Sequence, residues 1–424
     1  MSTWTSSLPP SWEAVRPNAI FRERREASTG DDEHLTPSQH HGVLTQANYM
    51  SRTGTKVVLN LTAPDNMKHV EPDDFIAHLR SFQGGIEKSD LRGKVSTAYT
   101  VIQPLPAAEP RFFKWVLKSP AFISELAASC EQLRDGQSVK FNDFARIRLP
   151  LPPNGDQRRI ADFLDDRVAG IDRIIAARHR QVAIVEEAAI RASYDAVRGE
   201  GADRRDSGLT WLGSVPRDWP VLTVNTEFQV DLGKMLDEKR QTGATTIPYL
   251  RNTNVQWDRI NTGELKSMDV PLQERSRFTV RRGDLLICEG GQPGRAAIYT
   301  GDIEPLGFQK ALHRARSRGR SRPQWLLECL RTAVHLNVFD VANGQTTIGH
   351  LTNEQLRSTR FPFPPPDEQD AALAKLHERW SVTNALTSAS RDSISRLKEY
   401  KQSLVTAAVT GELDVTTAGS GIPG

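Results

Sequence analysis

The chain has 424 residues, 38% of them apolar and 25% charged, with 55 Lys and Arg against 52 Asp and Glu for a formal charge of +3. This describes a folded protein of two to three domains rather than a disordered one. The near balance of charge permits an anionic partner without demanding one. No run of 18 apolar residues occurs, so no membrane span is expected. The opening MSTWTSSLPPSWE lacks the basic and apolar regions of a secretory signal. Cys130, Cys288 and Cys329 are odd in number and far apart, which suits neither a disulfide framework nor a zinc knuckle. A reducing, cytoplasmic setting is the expectation.

The first half opens on SLPPSW at 7–12 and continues through strand-like runs at 56–61 (KVVLNL) and 95–102 (VSTAYTVI). A Gly84-Gly85 turn lies between them, and a helical patch follows at 112–126. Next comes LPLPPNGDQ at 149–157, where Pro150, Pro152 and Pro153 impose extended backbone. A helix can begin only after them, with Asn154 placed to cap it. Leu164, Val168, Ile171, Ile175, Arg178, Val182, Val185, Ala189, Ala192 and Ala196 then follow alternating spacings of four and three, a heptad seam. Gly199 reads as its C-cap.

The second half repeats this order. SVPRDW at 214–219 matches the opening motif at an offset of 207. VRRGDL at 280–285 resembles VEPDDF at 70–75, and Gly344-Gln345 matches Gly136-Gln137. A strand-like run at 284–288, a Gly290-Gly291 turn and a helical patch at 325–339 lead to FPFPPPDEQ at 361–369, at an offset of 212. Asp367 is the expected cap there. The same offset carries the seam onto Leu376, Trp380, Thr383, Thr387, Ser390, Ile394, Leu397, Lys401, Leu404 and Ala408, and Gly199 onto Gly411. A period near 210 is too long for a solenoid and marks a duplicated domain. Neither apolar stripe can stay exposed, so the two helices are expected to pair, antiparallel if the halves are related by a two-fold. A plain spacer or dimerisation rod is the simpler reading of the periodicity alone.

No catalytic signature is present. Gly93-Lys94 and Gly233-Lys234 lack the P-loop context, and EGGQPGR at 289–295 has the wrong spacing for a dinucleotide fingerprint. The Asn/Asp-Pro-Pro-aromatic loop of an adenine methyltransferase is missing. His34, His40 and His41 lack metal-pair spacing. Features suited to nucleic acid are stronger. Arg314, Arg316, Arg318, Arg320 and Arg322 alternate just after Lys310 and His313, with no acid between Glu304 and Glu328. On an extended chain they share one face, and their repulsion would be relieved by phosphate. YLRNTNVQW at 249–257 offers Arg251, Asn252 and Asn254, side chains that read base edges, and Gln345 and Thr346 lie in a comparable polar loop. The first half offers Arg80, Gln83, Lys88, Arg92 and Lys94. The bland reading of each cluster is a solvated loop.

The doubled motif, LPLPPNGDQRRIADFL at 149–164 and FPFPPPDEQDAALAKL at 361–376, resembles the specificity subunits of type I restriction-modification systems. So do the helix exits at 196–200 and 408–413 and the lead WLGSVPRDW at 211–219. The likeness covers about residues 5–414, with Asp156 in place of the usual Glu and Ala372 opposite Ile160. It implies an α+β fold with two globular target-recognition domains in tandem, separated by two long antiparallel coiled-coil helices. The implied division is 1–153 for the first domain, 154–199 for its spacer helix, 200–365 for the second domain, 366–412 for its helix and 413–424 for a flexible tail. The implied function is non-catalytic reading of a split duplex DNA target, with the helices as a ruler setting a gap of roughly one helical turn. Leu164, Val168, Ile171, Ile175, Val182, Val185, Leu376, Trp380, Ile394, Leu397 and Leu404 would serve the spacer and dock partners. Those partners would be two modification subunits carrying S-adenosylmethionine and two motor-nuclease subunits using ATP and Mg2+, with no cofactor or metal in this chain. A coiled-coil scaffold with two protein-binding modules is the alternative. The acidic Asp31-Asp32-Glu33 is unusual for a DNA reader.

Overall fold

The structure, a computed structural model, describes residues 4–55, 67–129, 139–236, 243–341 and 349–415. The fold is α+β, as expected, and one frame is built twice. Two compact units divide the chain, residues 4–178 with 391–415 and residues 179–390. Each long helix contributes to both units.

In unit 1 the central sheet runs in the order Phe21–Glu23, Thr100–Pro104, Phe75–Ala77, Glu87–Lys88, all antiparallel. In unit 2 the order is Phe228–Leu232, Leu312–Ser317, Leu285–Cys288, Ala296–Ile298, again antiparallel. The short apolar runs FIA and LLIC are buried at every residue, as a strand covered on both faces requires. Unit 2 adds a second sheet, with Lys266–Asp269, Thr246–Leu250, Leu306–Phe308 and Thr279–Val280 in that order. Phe21 anchors the core of unit 1 edge-on to Phe75, Phe113 and Phe144 at 5.7, 5.1 and 5.8 Å. Trp219 meets Trp325 edge-on at 5.9 Å in unit 2. Each such buried ring contributes about 1.5–3 kcal/mol.

The proline segments are strands. Leu149–Leu151 pairs antiparallel with Glu13–Val15, and Arg360–Pro362 with Val221–Thr223. Two-stranded ribbons tolerate the missing proline N–H. The long helices span Asn154–Arg198 and Pro366–Thr410, 45 residues each. Within unit 1, Leu164, Val168, Ile171 and Ile175 of the first helix share a core with Leu397 and Leu404 of the second. Lys401 Nζ lies 2.8 Å from both carboxylate oxygens of Asp172. Within unit 2, the Trp380 indole donates to Ser193 Oγ at 3.3 Å. Early residues of one helix thus meet late residues of the other, which is the antiparallel arrangement. Gly199 and Gly411 end the helices at φ 72° and 76°. A Cβ at Gly199 would fall 2.7 Å from the Trp219 ring, and one at Gly411 would fall 2.4 Å from Pro9. The opening Pro/Trp motifs and the closing glycines therefore belong to one packing site in each unit.

Several expectations shift. The first helix begins on its expected cap, Asn154, and the second one residue before its expected cap, Asp367, because the carbonyls of Pro153 and Pro365 accept the first helical N–H bonds. Pro366 is itself the first helical residue, where a missing N–H costs nothing. The run at 95–102 is two strands, Gly93–Val95 and Thr100–Pro104, on either side of a turn. The patch at 112–126 breaks into Pro110–Val116 and Pro120–Ser129 at Pro120. The patch at 325–339 divides into Pro323–His335 and Val338–Val341 at Asn337, which has φ 55°. The run at 56–61, Cys130 and Gly136-Gln137 lie outside the described residues. Cys288 and Cys329 are buried free thiols, and burial pushes both up. Among the described residues no helix is long and apolar enough to cross a membrane.

Candidate nucleic-acid interface

The first turn of each long helix carries a fully buried glutamine. Gln157 Oε1 accepts the Glu109 amide at 2.8 Å, and its Nε2 donates to the carbonyls of Pro152 at 2.8 Å and Ala107 at 3.0 Å. Gln369 Oε1 accepts the Arg322 amide at 2.8 Å, and its Nε2 donates to the Pro364 carbonyl at 2.7 Å and Ser321 Oγ at 3.2 Å. Glu109 and Arg322 are the N-cap residues of helices Pro110–Val116 and Pro323–His335. One side chain thus ties the proline strand, the long helix and a helix of the globular domain together, twice. The repeated Gln at the 212 offset was visible in the sequence, but its role was not.

The alternating arginines lie on or just after Leu312–Ser317. Arg314 and Arg316 share a face, as the spacing predicts, but their charge is balanced within the fold. Arg314 is fully buried and donates to Asp231 and to the carbonyls of Thr279 and Ser276. Arg316 makes a two-bond pair with Asp284, both bonds 2.7 Å. The expected repulsion is relieved by two aspartates rather than held open for phosphate. Burial pushes Arg314 down, while the Asp284 hydrogen bond pushes Arg316 up. His313 is buried against the Leu351 carbonyl at 2.7 Å. Arg322 pairs with Asp370 at 2.6 Å. Lys310, Arg318 and Arg320 are exposed, with Arg318 Nε donating to the Asn225 carbonyl at 3.2 Å.

The 251–254 loop is likewise committed inward. Asn252 Nδ2 donates to the Gly290 carbonyl at 2.6 Å, and its Oδ1 accepts Arg295 Nη2 at 2.7 Å. Asn254 Oδ1 accepts the Arg251 amide and its Nδ2 donates to the Asn261 carbonyl, both at 2.9 Å. Neither amide is left to grip a base edge in two places. Arg251 is half-buried, with Nε unpartnered. Gln345 and Thr346 lie outside the described residues.

In unit 1, Arg80 and Gln83 are exposed and Lys94 is half-buried. Lys88 pairs with Asp73 at 2.7 Å and with Asp90. Gln83 and Lys88 line one cavity of about 840 Å³, together with Trp115 and Lys398. Arg92 faces Asp32 at 3.4 Å and Glu71 at 3.8 Å. Of the acidic opening, Asp32 is buried and neutralised there, while Asp31 and Glu33 are exposed. His69 is clamped between Asp32 at 2.7 Å and Glu71 at 2.8 Å. Burial alone would raise the Asp32 carboxyl, but the Thr29 amide and the His69 ring hold it at about 2. Burial likewise opposes charge on His69, yet Glu71 and Asp32 raise it.

The spacer residues named from the seam are occupied by packing. Leu164, Val168, Ile171, Leu376, Ile394 and Leu404 are buried; Ile175, Val182, Val185, Trp380 and Leu397 are half-buried. Trp380 also stacks on the Arg331 guanidinium at 4.2 Å, with Trp257 on Arg331 at 4.8 Å. The apolar groups left outward on the helices include Ile174 (49% exposed) and Leu386 (43%), which occupy equivalent repeat positions. A second basic feature escaped the sequence reading: the exposed Arg277, Arg281 and Arg282 with the half-buried Arg275 in unit 2. Among the described residues no group of three or more His, Cys, Asp and Glu could hold a metal ion.

No family model matches the chain. It is 22% identical over 287 residues to the type I restriction enzyme EcoKI specificity subunit of Escherichia coli K12, covering 65% of this chain and 60% of that protein. It is 21% identical over 318 residues to the EcoBI specificity subunit of Escherichia coli, covering 72% and 65%. The matched stretches therefore span less than two thirds of those relatives. A chain from a structural study of assembly and conformational transition in the type I R-M system aligns at TM-score 0.72 and 20% identity, over 96% of this chain and 100% of that one. The HsdS subunit of Thermoanaerobacter tengcongensis aligns at TM-score 0.52 and 20% identity, over 97% and 100%. The resemblance to specificity subunits read from the doubled motif is borne out, and so is the fold it implies.

Proposed function

We propose that this chain is a non-catalytic DNA-recognition subunit of a type I restriction-modification complex. The observation that carries this reading is the doubled glutamine clasp, which mounts two equivalent domains on one pair of helices. Two such domains suit a bipartite duplex target, each reading one half. The seam of the long helices is filled, so modification subunits dock on the outward faces, where Ile174 and Leu386 supply equivalent contacts to two identical partners. Those partners supply S-adenosylmethionine and methylate adenine, and motor-nuclease subunits add ATP and Mg2+ chemistry. The setting is cytoplasmic. Of the candidate contacts, the exposed Arg80, Gln83, Arg92, Lys310 and Arg318 fit phosphate or base contact better than the buried Arg314 or the committed Asn252 and Asn254.

Selection of bound duplexes from a randomised library, with modification subunit present, tests the reading. A split consensus whose affinity falls steeply with salt is the expected result. Failure to retain any duplex at low salt would favour the scaffold alternative. The helices act as a ruler in this account. Removing one heptad from each should change the gap between half-sites and leave both half-site sequences intact; an unchanged gap would remove the ruler.

A further inference from the structure

The segment 272–282 of unit 2 combines charge and apolar exposure in a way the assigned residues do not. Four arginines, Arg275, Arg277, Arg281 and Arg282, fall within it. Arg282 pairs with Asp302 at 2.9 Å. Among the described residues, Arg275, Arg277 and Arg281 have no carboxylate partner. Arg277 sits over the Phe278 ring at 5.1 Å. Leu272 is 73% exposed, and Met235 is 64% exposed. Lys234 bonds Glu274 and sits over the Phe278 ring at 5.2 Å, which brings the chain at Met235 beside the segment at Leu272.

This surface is braced from behind. The buried Arg314 guanidinium donates to the carbonyls of Ser276 and Thr279, the backbone that carries the half-buried Arg275 and the exposed Arg277 and Arg281. It also bonds Asp231 and stacks on Phe308 at 5.6 Å. A fully buried cation fixed on two carbonyls holds a loop rigid. Among the described residues, Arg275 Nε donates only to the Val270 carbonyl, at 3.4 Å. A basic loop is thus held rigid with three guanidinium groups not neutralised by a carboxylate among the described residues, which is what a polyanion needs.

We propose that segment 272–282 with Met235 is a DNA contact of unit 2. Arg275, Arg277 and Arg281 grip phosphates, and Leu272 with Met235 makes the apolar contact to base edges in the groove. Arg314 is a positioning residue behind them. Two apolar side chains among arginines are too small an apolar area for a stable protein interface. The proposal rests on the reading of the chain as a duplex reader.

The test is the salt dependence of duplex binding by the full chain, on a duplex carrying its selected target, with thermal melting recorded for every variant. Replacing Arg275, Arg277 and Arg281 by Ala should weaken binding at least 10-fold and flatten the slope of log K against log salt by about 2–3, because each phosphate contact carries roughly 0.9. Replacing them by Lys should restore most of the slope. Leu272→Ser with Met235→Ser should weaken binding several-fold with the slope unchanged. Arg314→Lys should weaken binding without lowering the slope by a full contact. An unaltered slope in a folded triple-Ala variant overturns the phosphate contact while wild type still binds. Loss of partner-subunit capture by the Leu272/Met235 variant, with DNA binding intact, would make this a protein surface and overturn the groove contact. Wild type that binds no duplex would bring down the proposed function and this inference together.

Discussion

The two units share a frame but distribute their charge differently, and a single buried turn shows how. Asp74 Oδ2 accepts the Glu71 amide at 2.8 Å, and Asp284 Oδ2 accepts the Arg281 amide at 2.7 Å. The preceding residue has positive φ in both, 72° at Asp73 and 91° at Gly283. The buried carboxylate is thus retained by backbone geometry. Its cation is not. In unit 1 it is Arg24, following the edge strand, at 2.6 Å. In unit 2 it is Arg316, on the neighbouring strand. By strand register Arg24 corresponds to Asp231, Val101 to Arg314 and Gln103 to Arg316. Around an unmoved aspartate, the arginine of unit 1 is replaced by an aspartate, and two neutral positions, Val101 and Gln103, become arginines. A buried carboxylate needs a cation nearby, but geometry lets either strand supply it. That freedom lets two domains keep one core while presenting different surfaces.

The comparison can be broken at its strongest point first. Arg24→Ala strands Asp74, whose carboxyl burial already pushes up, and should cost about 3–5 kcal/mol by denaturant unfolding. Arg24→Ala with Asp74→Ala should recover most of that loss, because no orphaned charge remains. Arg316→Ala should cost less, since Arg316 is 24% exposed and Arg24 only 7%. Equal costs would mean the two pairs are interchangeable after all.

The glutamine clasps come next. Gln157→Leu and Gln369→Leu each leave buried amides and carbonyls unpaired, worth about 2–4 kcal/mol. Each should abolish reading of only its own half-site, measured on duplexes with one half scrambled. Loss of both half-sites from one substitution would contradict the modular account.

The smallest effect is a pH dependence arising at the His69 clamp of unit 1. His69 is raised from its ordinary 6.5 by Glu71 and Asp32 against the opposing effect of burial. Its stabilisation is therefore full below about pH 6.5 and fades as pH rises through the raised value. His69→Gln should lower Tm by about 2–4 °C near pH 6 and less near pH 10. The Asp32 share persists until pH falls through about 2. A larger loss at alkaline pH would reverse the sign assigned to this clamp.

The duplication, the proline strands and the helix seam were legible because each is a local pattern. Pro152 and Gln157 announce themselves within five residues of each other. Even Thr383, Thr387 and Ser390, polar members of the seam, are buried where the heptad placed them. The arginine run was misleading because its partners are remote. Asp231 lies 83 residues from Arg314, and Asp284 lies 32 from Arg316. Nothing in the spacing of a strand says which side chain faces it from the next strand. Asn252 and Asn254 were chosen for residue type, and the fold uses their amides on Gly290 and Asn261 instead. Arg275, Arg277 and Arg281 went unnoticed because they lie in an ordinary polar stretch. Only the Arg314 brace and the exposure of Leu272 set them apart.

The central claim is that each unit reads one half of a split target. The most direct measurement is the methylome of a host expressing this chain with the proposed modification subunit, against the same host without the chain. The account predicts a new adenine-methylated motif made of two unlike halves at a fixed gap. A palindrome of one half-site, or no new motif, would contradict it.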